Sequence, residues 1–209
     1  MELLEAIRTR RSVRKFTEEV PPVEDVKKII DAARLAPSST NDQMWHFKAI
    51  YNKDIKDKMR QAVVDKFDEM LTWEEARGYV SKIKFYKHYS IFFTDAPVNI
   101  AVIETPRKNH MGDLMTARGI SKEEMDRLRP DTGLLSIGAA IQNLSLVAHE
   151  LGYGTCWMTA PLYAYKELEE IIGIPEGCKL VSIVCLGRPA DDKKGPPKKP
   201  LEEVLTIVE

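Results

Sequence analysis

The fold is decided by the stretch TGLLSIGAAIQNLSLVAHELGYGTCWM, residues 132–158. Apolar and small residues dominate it as far as Leu151, and this predicts a buried helix over 132–151. Gly152-Tyr153-Gly154 ends that helix, because glycine is the usual residue just beyond a helix C-terminus. Residues 155–158 then read as a strand. A helix that is apolar nearly all round must be covered on several sides, which favours a position at the centre of an assembly.

Outward from this stretch, apolar runs predict three more strands, and helical periodicity predicts several helices. The predicted strands cover residues 45–51, 98–103 and 180–186, and the predicted helices cover 23–36, 54–69, 122–128 and 163–172. Residues 70–96 are expected to be helical without defined boundaries. The N-terminus reads as a helix with Leu3, Leu4 and Ile7 on one side. This mixture predicts an α+β fold, a sheet flanked by helices.

The chain is predicted to form one domain over residues 1–209, since no repeat or low-complexity linker divides it. Polar residues interrupt the pattern over about 70–130, an excursion of the kind that often carries specificity. After Gly187 the chain becomes an extended arm, about 188–209, that is rich in Pro and Lys. Such an arm has no core of its own and must lie on the body or on a partner. Together with the apolar 132–151 helix, it favours a homodimer.

Composition excludes several classes of protein. The 209 residues carry a formal net charge of −1, which argues against broad binding of nucleic acid or an anionic membrane. The N-terminus lacks the apolar core of a signal peptide, and the 132–149 run has too many polar groups to suit a membrane span. The three cysteines form no CxxC pair, so we expect free thiols in a reducing cytoplasm.

Two polar clusters are candidate binding sites. Four arginines and a lysine fall within residues 8–15, around Ser12. They read either as a solvated basic helix end or as an anion site, in which forked donors and a hydroxyl hold a phosphate. The second cluster, residues 37–41, is either an ordinary helix-to-strand connection or a rim of small polar groups against a flat heterocycle.

The sequence lacks the motifs of several other common classes of enzyme and binding protein. Gly152-Tyr153-Gly154 follows a helix and enters a strand, the reverse of the order in a dinucleotide fingerprint. No P-loop and no GxSxG motif occurs, and the four histidines have no metal-ligand spacing. Cys156 has no neighbouring base, which makes it a poor candidate nucleophile.

Taken together, separated segments of the chain resemble the nitroreductase family of FMN-dependent oxidoreductases. These segments are RRSVRKF at residues 10–16, APSSTNDQMW at 36–45 and AHELGYGTCW at 148–157, followed by GRP at 187–189 and KPLEEV at 199–204. They cover nearly the full length in order, with residues 70–130 the weakest part. Two positions depart from the pattern. Met44 stands where the family usually has Pro, and Lys199 stands where many members have Arg, which turns a forked contact into a point charge.

The resemblance implies an intertwined homodimer with FMN at the subunit interface, and it implies roles by position. Arg10, Arg11 and Ser12 would hold the phosphate and ribityl chain of FMN, and Arg14 would approach the pyrimidine side of its ring. The remaining implied FMN contacts are Pro37, Ser38, Ser39 and Asn41 from the other subunit, Trp157, Met158 and Thr159 at the ring, and Gly187, Arg188 and Lys199 at the phosphate end. No side chain is expected to be catalytic, because the cofactor carries the chemistry.

The implied activity is ping-pong electron transfer from NADH or NADPH to a nitroaromatic, a quinone or a similar small acceptor. Three alternatives stay open, which are reductive dehalogenation, breakdown of the flavin itself, and a flavin-binding sensor without turnover. A purely structural dimer without cofactor is a fourth. For dehalogenation and flavin breakdown, the 70–130 excursion would decide through the lid that it forms over the ring. Its candidate contacts are Tyr86, Tyr89, Arg107 and His110, although residues of these types in such a segment are more often ordinary surface residues.

Overall fold

The computed structural model describes residues 2–128 and 130–209 as an α+β fold. Its helices are α1 (Leu3–Thr9), α2 (Val23–Ala33), α3 (Lys53–Leu71), α4 (Val80–Ile91), α5 (His110–Arg118), α6 (Lys122–Leu128), α7 (Thr132–Glu150) and α8 (Tyr165–Ile172). Its strands are β1 (Trp45–Ile50), β2 (Val98–Glu104), β3 (Gly154–Met158) and β4 (Lys179–Gly187). The predicted mixture of helices and a sheet is confirmed.

The four strands form one antiparallel sheet in the order β1-β2-β4-β3. The two central strands, β2 and β4, are the apolar runs that the sequence predicted, and they are almost fully buried. A register shift between Val102 and Ile103 marks an irregularity where β2 pairs with β4. β3 lies at one edge of the sheet, and this edge receives the N-terminal segment of the site.

Alternate residues of the central strands face two different hydrophobic layers, as the two-residue period of a strand requires. Ile100 and Val184 face a core formed with α2 and α7. Ala101 and Ile183 face a second core formed with α3 and α8. The sheet is therefore covered on both sides, which explains why its central strands read as continuous apolar runs.

Helix α7 begins where the sequence predicted, because the Asp131 carboxylate accepts hydrogen bonds from the backbone N–H groups of Gly133 and Leu134 at 2.9 and 3.2 Å. Its core face is buried, but Leu134 and Leu135 are 49% and 64% exposed. Within one chain, the expected cover on several sides is therefore incomplete at the N-terminal end of this helix.

The structure differs from the sequence predictions in the excursion and at the end of α2. Residues 70–96 are divided into α4 and short 3-10 turns on either side, and α5 is an additional helix that the sequence reading missed. Helix α2 ends at Ala33 instead of near 36, because the next residues tighten into a 3-10 turn before Pro37. In that turn Leu35 and Ala36 donate to carbonyls three residues back.

Among the described residues, no helix is both long enough and apolar enough to cross a membrane. The three cysteines, Cys156, Cys178 and Cys185, are free thiols, as predicted.

Candidate active site

The basic N-terminal segment is not a continuation of α1. After Thr9 the chain leaves the helix and runs as extended backbone beside β3. The Val13 N–H donates to the Thr155 carbonyl at 2.8 Å, and the Thr17 N–H donates to the Arg188 carbonyl at 2.9 Å. Backbone hydrogen bonds thus fix the segment between the sheet edge and the start of the C-terminal arm.

Extended backbone determines which side chains of this segment are displayed, because neighbouring side chains point to opposite sides. Val13 is 2% exposed and anchors the segment in the core. Ser12 and Arg14, on either side of it, are exposed. The cluster of residues 8–15 is therefore held as an open row of donors, and this geometry favours the anion site over the solvated helix end.

The displayed row forms one wall of a cavity of about 840 Å³, within the range of small-molecule sites. The opposite wall is the C-terminal arm. The lining residues are Arg8, Thr9, Arg10, Arg11, Ser12, Arg14, Lys15, Asp191, Asp192, Lys193, Lys194, Gly195, Pro196 and Lys198. We call this space the cation cavity. Residues about 180 positions apart in sequence meet across it.

One ion pair ties the arm to the cation cavity. The Arg11 guanidinium donates to an Asp191 carboxylate oxygen at 2.7 Å and also to the Asp191 carbonyl. In the described part of the chain, none of the seven other cations of the cavity makes an ion pair with a carboxylate. Uncompensated like charges repel one another, so this arrangement suits a bound anion.

Arg14 joins the cation cavity to a second, aromatic cavity of about 480 Å³. Its guanidinium donates to the Tyr89 hydroxyl at 3.3 Å and lies 5.8 Å from the centre of the Tyr89 ring. This hydrogen bond raises the pKa of Arg14 further above its ordinary value, so the group is a permanent cation. The aromatic cavity is lined by Tyr86, Tyr89, Trp157, Met158, Thr159, Ala160, Leu162 and Tyr163.

The aromatic cavity brings together residues predicted from two different arguments. Trp157, Met158 and Thr159 were implied at the flavin ring by the family resemblance, and Tyr86 and Tyr89 were lid candidates. The other two lid candidates lie elsewhere. The Arg107 guanidinium pairs with Asp131 at 2.7 Å and with Glu104 at 3.4 Å, near the N-terminus of α7. His110 is the first residue of α5.

Cys156 lies beneath this region but is not available as a nucleophile. It is 2% exposed, and burial raises the pKa of its thiol, an effect that the positive charge of Arg14 only partly opposes. A thiol that stays protonated and covered does not attack a substrate.

The second polar cluster, residues 37–41, lines neither of these two cavities. It packs against the first turns of α7, where the Ser39 N–H donates to the Ser136 hydroxyl at 3.1 Å. The Ser38 hydroxyl accepts from the Gln43 N–H at 3.0 Å, and Asn41 has a left-handed φ of 56°. Pro37 precedes this turn. One chain therefore does not bring this cluster to the cation cavity, and its implied role depends on a second subunit.

The residues implied at the phosphate end have other surroundings in the structure. Gly187 ends β4, where an added Cβ would lie 2.6 Å from Pro97 Cδ. The Arg188 guanidinium donates to the Leu151 carbonyl at 3.0 Å and to Glu19 at 3.1 Å, and it lies 4.3 Å from the centre of the Tyr153 ring. Lys199 faces Glu203 at 4.0 Å. None of the three lines the cation cavity, and their roles at the flavin stay predictions.

The sequence reading missed the lysines that the arm contributes, Lys193, Lys194 and Lys198. The signal in the sequence is the density of lysine and proline in the arm, which does not by itself indicate a position beside residues 8–15. A search of the described residues finds no group of three His, Cys, Asp or Glu side chains that could hold a metal ion.

Comparison with known proteins shows to which family the chain belongs. A model of the nitroreductase family matches residues 7–188, most of the chain. The chain therefore belongs to the nitroreductase family and is an oxidoreductase. A protein of Archaeoglobus fulgidus, provisionally named an NADH dehydrogenase/NAD(P)H nitroreductase, is 31% identical over 92% of this chain and 88% of its own length.

Two solved structures share the fold. A BluB-like flavoprotein from Clostridium difficile 630 superposes with a TM-score of 0.90 at 35% identity, over the whole of both chains. A nitroreductase from Bacteroides fragilis, solved with bound FMN, superposes with a TM-score of 0.70 at 24% identity, also over the whole of both chains. FMN is thus bound by a protein of this same fold.

Proposed function

We propose that this protein is an FMN-dependent oxidoreductase that takes electrons from NADH or NADPH and passes them to a small acceptor such as a nitroaromatic or a quinone. One observation supports this most strongly. The cation cavity, suited to the phosphate and ribityl chain of FMN, is joined through Arg14 to an aromatic cavity suited to a planar ring.

The residues present fit FMN in their chemistry. Arg10, Arg11 and Ser12 would hold the phosphate, since charge-assisted hydrogen bonds from forked guanidinium groups suit a phosphate and a hydroxyl adds a further donor. Arg14 would keep a positive charge toward the pyrimidine side of the ring. Bound FMN would supply the hydride and electron transfer, in a ping-pong cycle where donor and acceptor use one pocket in turn.

The chain's own residues would bind and shield the ring. Trp157 is 48% exposed, and its side chain packs near Gly138 of α7, where an added Cβ would lie 3.4 Å from the ring. With Tyr86 and Tyr89 it offers flat apolar surfaces that suit stacking of a nicotinamide or an aromatic acceptor. The 70–130 excursion supplies both tyrosines, which supports its proposed role as a lid.

We also propose a homodimer in which residues 37–41 of one subunit complete the flavin site of the other. Exposed leucines on two helices support this, because large apolar groups in water favour association. These are Leu3 and Leu4 on α1 and Leu134 and Leu135 on α7, all between 49% and 64% exposed. Light scattering should give twice the 23.8 kDa chain mass, and a monomer with full FMN occupancy would refute this arrangement.

A visible absorption spectrum of the purified protein, followed by anaerobic addition of NADH and then NADPH, tests the function. We expect flavin bands that bleach with at least one donor and return when a nitroaromatic or a quinone is added. Arg10→Gln should weaken uptake of added FMN, whereas Arg34→Gln, which removes an equal charge from the exposed end of α2, should not.

Other spectra would contradict the proposal in distinguishable ways. A flavin that stays oxidised with both donors would point to a sensor without turnover. Bleaching followed by turnover of halogenated aromatics only would point to reductive dehalogenation. A colourless protein that takes up no added FMN would refute the flavin site itself.

A further inference from the structure

The positive charge of the cation cavity exceeds what one bound FMN requires. Five cations come from the N-terminal segment and three from the arm, against the two carboxylates of Asp191 and Asp192. Eight positive charges less two negative charges leave a surplus of six. The single phosphate of FMN carries about −1.5 to −2 at neutral pH, as a phosphate monoester does. About four positive charges remain uncompensated.

This surplus is a local feature and not a property of the whole surface. The chain as a whole has a net charge of −1. Several exposed helix lysines elsewhere pair with a carboxylate one helical turn away, as Lys27 does with Glu24 at 2.7 Å and Lys122 with Asp126 at 2.9 Å. In the described part of the chain the arm lysines Lys193, Lys194 and Lys198 have no such partner.

The location of the surplus narrows the class of ligand. The cations line a concave space, and one of them, Arg14, donates a hydrogen bond to Tyr89 of the aromatic cavity where an electron donor would stack. A nucleic acid is instead recognised by a stripe of cations along an open surface. The ligand that fits is a small polyanion with a flat ring at one end, which describes a nicotinamide dinucleotide.

We infer that the protein selects NADPH over NADH, and that Lys193, Lys194 and Lys198 are the specificity-determining residues. This inference rests on the proposed function. The two donors differ in one phosphate monoester, which adds about −1.5 to −2 charges to NADPH. The N-terminal arginines would bind the phosphate of FMN, and the remaining cations on the arm would attract the additional phosphate of NADPH.

The test compares kcat/KM for NADPH and NADH in the FMN-loaded protein at low salt, with one saturating quinone as acceptor. We expect NADPH to be favoured by about tenfold or more, and the preference to shrink in 300 mM salt because exposed charges are screened. One exposed ion pair changes an equilibrium by about 1.4- to 5-fold, so the triple variant K193Q/K194Q/K198Q should reduce the preference by at least about threefold, through KM.

A matched control removes the same charge elsewhere. The triple variant K27Q/K53Q/K58Q changes three exposed helix lysines outside both cavities and outside the 70–130 excursion, and it should leave the preference unchanged. Equal loss of preference in both triple variants would mean that only net charge matters, and it would overturn the role of the arm.

The remaining outcomes separate this inference from the proposed function. If FMN binds and NADH is used equally well or better, the inference is wrong and the proposed function stands. If FMN does not bind, the proposed function fails first. If the arm variant lowers the affinity for single-stranded DNA, measured by fluorescence anisotropy, but not the NADPH preference, the cations serve a nucleic acid and the inference is overturned.

Discussion

Replacing Gly154 with Ala should loosen the binding site without unfolding the protein. An ideal Cβ at this position would lie 2.4 Å from Val13 Cγ2 and 2.7 Å from Val13 Cβ, closer than real Cβ atoms approach. The backbone of Gly154 does not need glycine for its own conformation, since its φ is not positive. The substitution therefore acts by pushing Val13, the anchor of the cation segment, away from β3.

The size of the effect follows from this overpacking. Forcing an extra methyl group into a packed core costs about 1–3 kcal/mol. In a chain of this length each kcal/mol lowers Tm by about 2–4 °C, so we expect a fall of about 2–12 °C. FMN affinity should fall as well, because Ser12 and Arg14 flank the displaced residue. Thermal unfolding and fluorescence titration with FMN measure the two effects.

Two further variants make the test specific. Gly78→Ala places the same methyl group where no atom lies within 4 Å, and it should keep both the Tm and the FMN affinity of the parent. Val13→Ala in the Gly154→Ala background should restore part of the FMN affinity by making room. If Gly154→Ala and Gly78→Ala behaved alike, Val13 would not be the anchor of the site.

Three other predictions concern stability. Lys56→Met should lower the free energy of unfolding by about 1–3 kcal/mol, because the Lys56 ammonium donates to the Ala96 and Pro97 carbonyls at 2.9 and 3.1 Å, and both would lose their partner. Urea unfolding measures this loss, and the exposed control Lys53→Met should match the parent. Arg107→Gln should increase amide hydrogen exchange over residues 105–128, since it breaks two ion pairs, and Arg34→Gln should not. Burial, with the nearby arginines, lowers the pKa of His149 in the folded protein. The unfolded chain therefore takes up the proton first as the pH drops below about 6.5, and the free energy of unfolding should fall there. His149→Gln should abolish that part of the pH dependence, measured by urea unfolding at several pH values.

The central sheet could be predicted from sequence to within about a residue at each end. β2 and β4 are continuous apolar runs because both faces of the sheet are covered, and such runs can be recognised from the local sequence alone. Helix α5 was missed because none of its residues is buried, so it has no apolar stripe. Its ends did carry signals, since the Asn109 side chain accepts from Gly112 N–H and Gly119 has a left-handed φ of 82°.

The site was predictable only where its parts lie close together in sequence. The row from Arg10 to Arg14 concentrates charge in a few residues, and that concentration is visible directly. The arm lysines reach the same cavity from about 180 positions away, and one sequence gives no measure of such pairing. The surroundings of Arg188 depend on where α7 ends, since the Leu151 carbonyl just past the helix accepts from it at 3.0 Å.

Two of the glycines in the stretch that decides the fold, Gly152 and Gly154, also shape the site. Gly152 has a left-handed φ of 81° that turns the chain from α7 into β3, and an added Cβ there would lie 2.5 Å from the Arg188 guanidinium. Gly154 leaves the space that Val13 fills. Gly152 thus admits the arginine at the start of the arm, and Gly154 admits the anchor of the cation segment. The arm that forms one wall of the cation cavity and the segment that forms the other are therefore both packed, at Arg188 and Val13, against the turn that ends the helix.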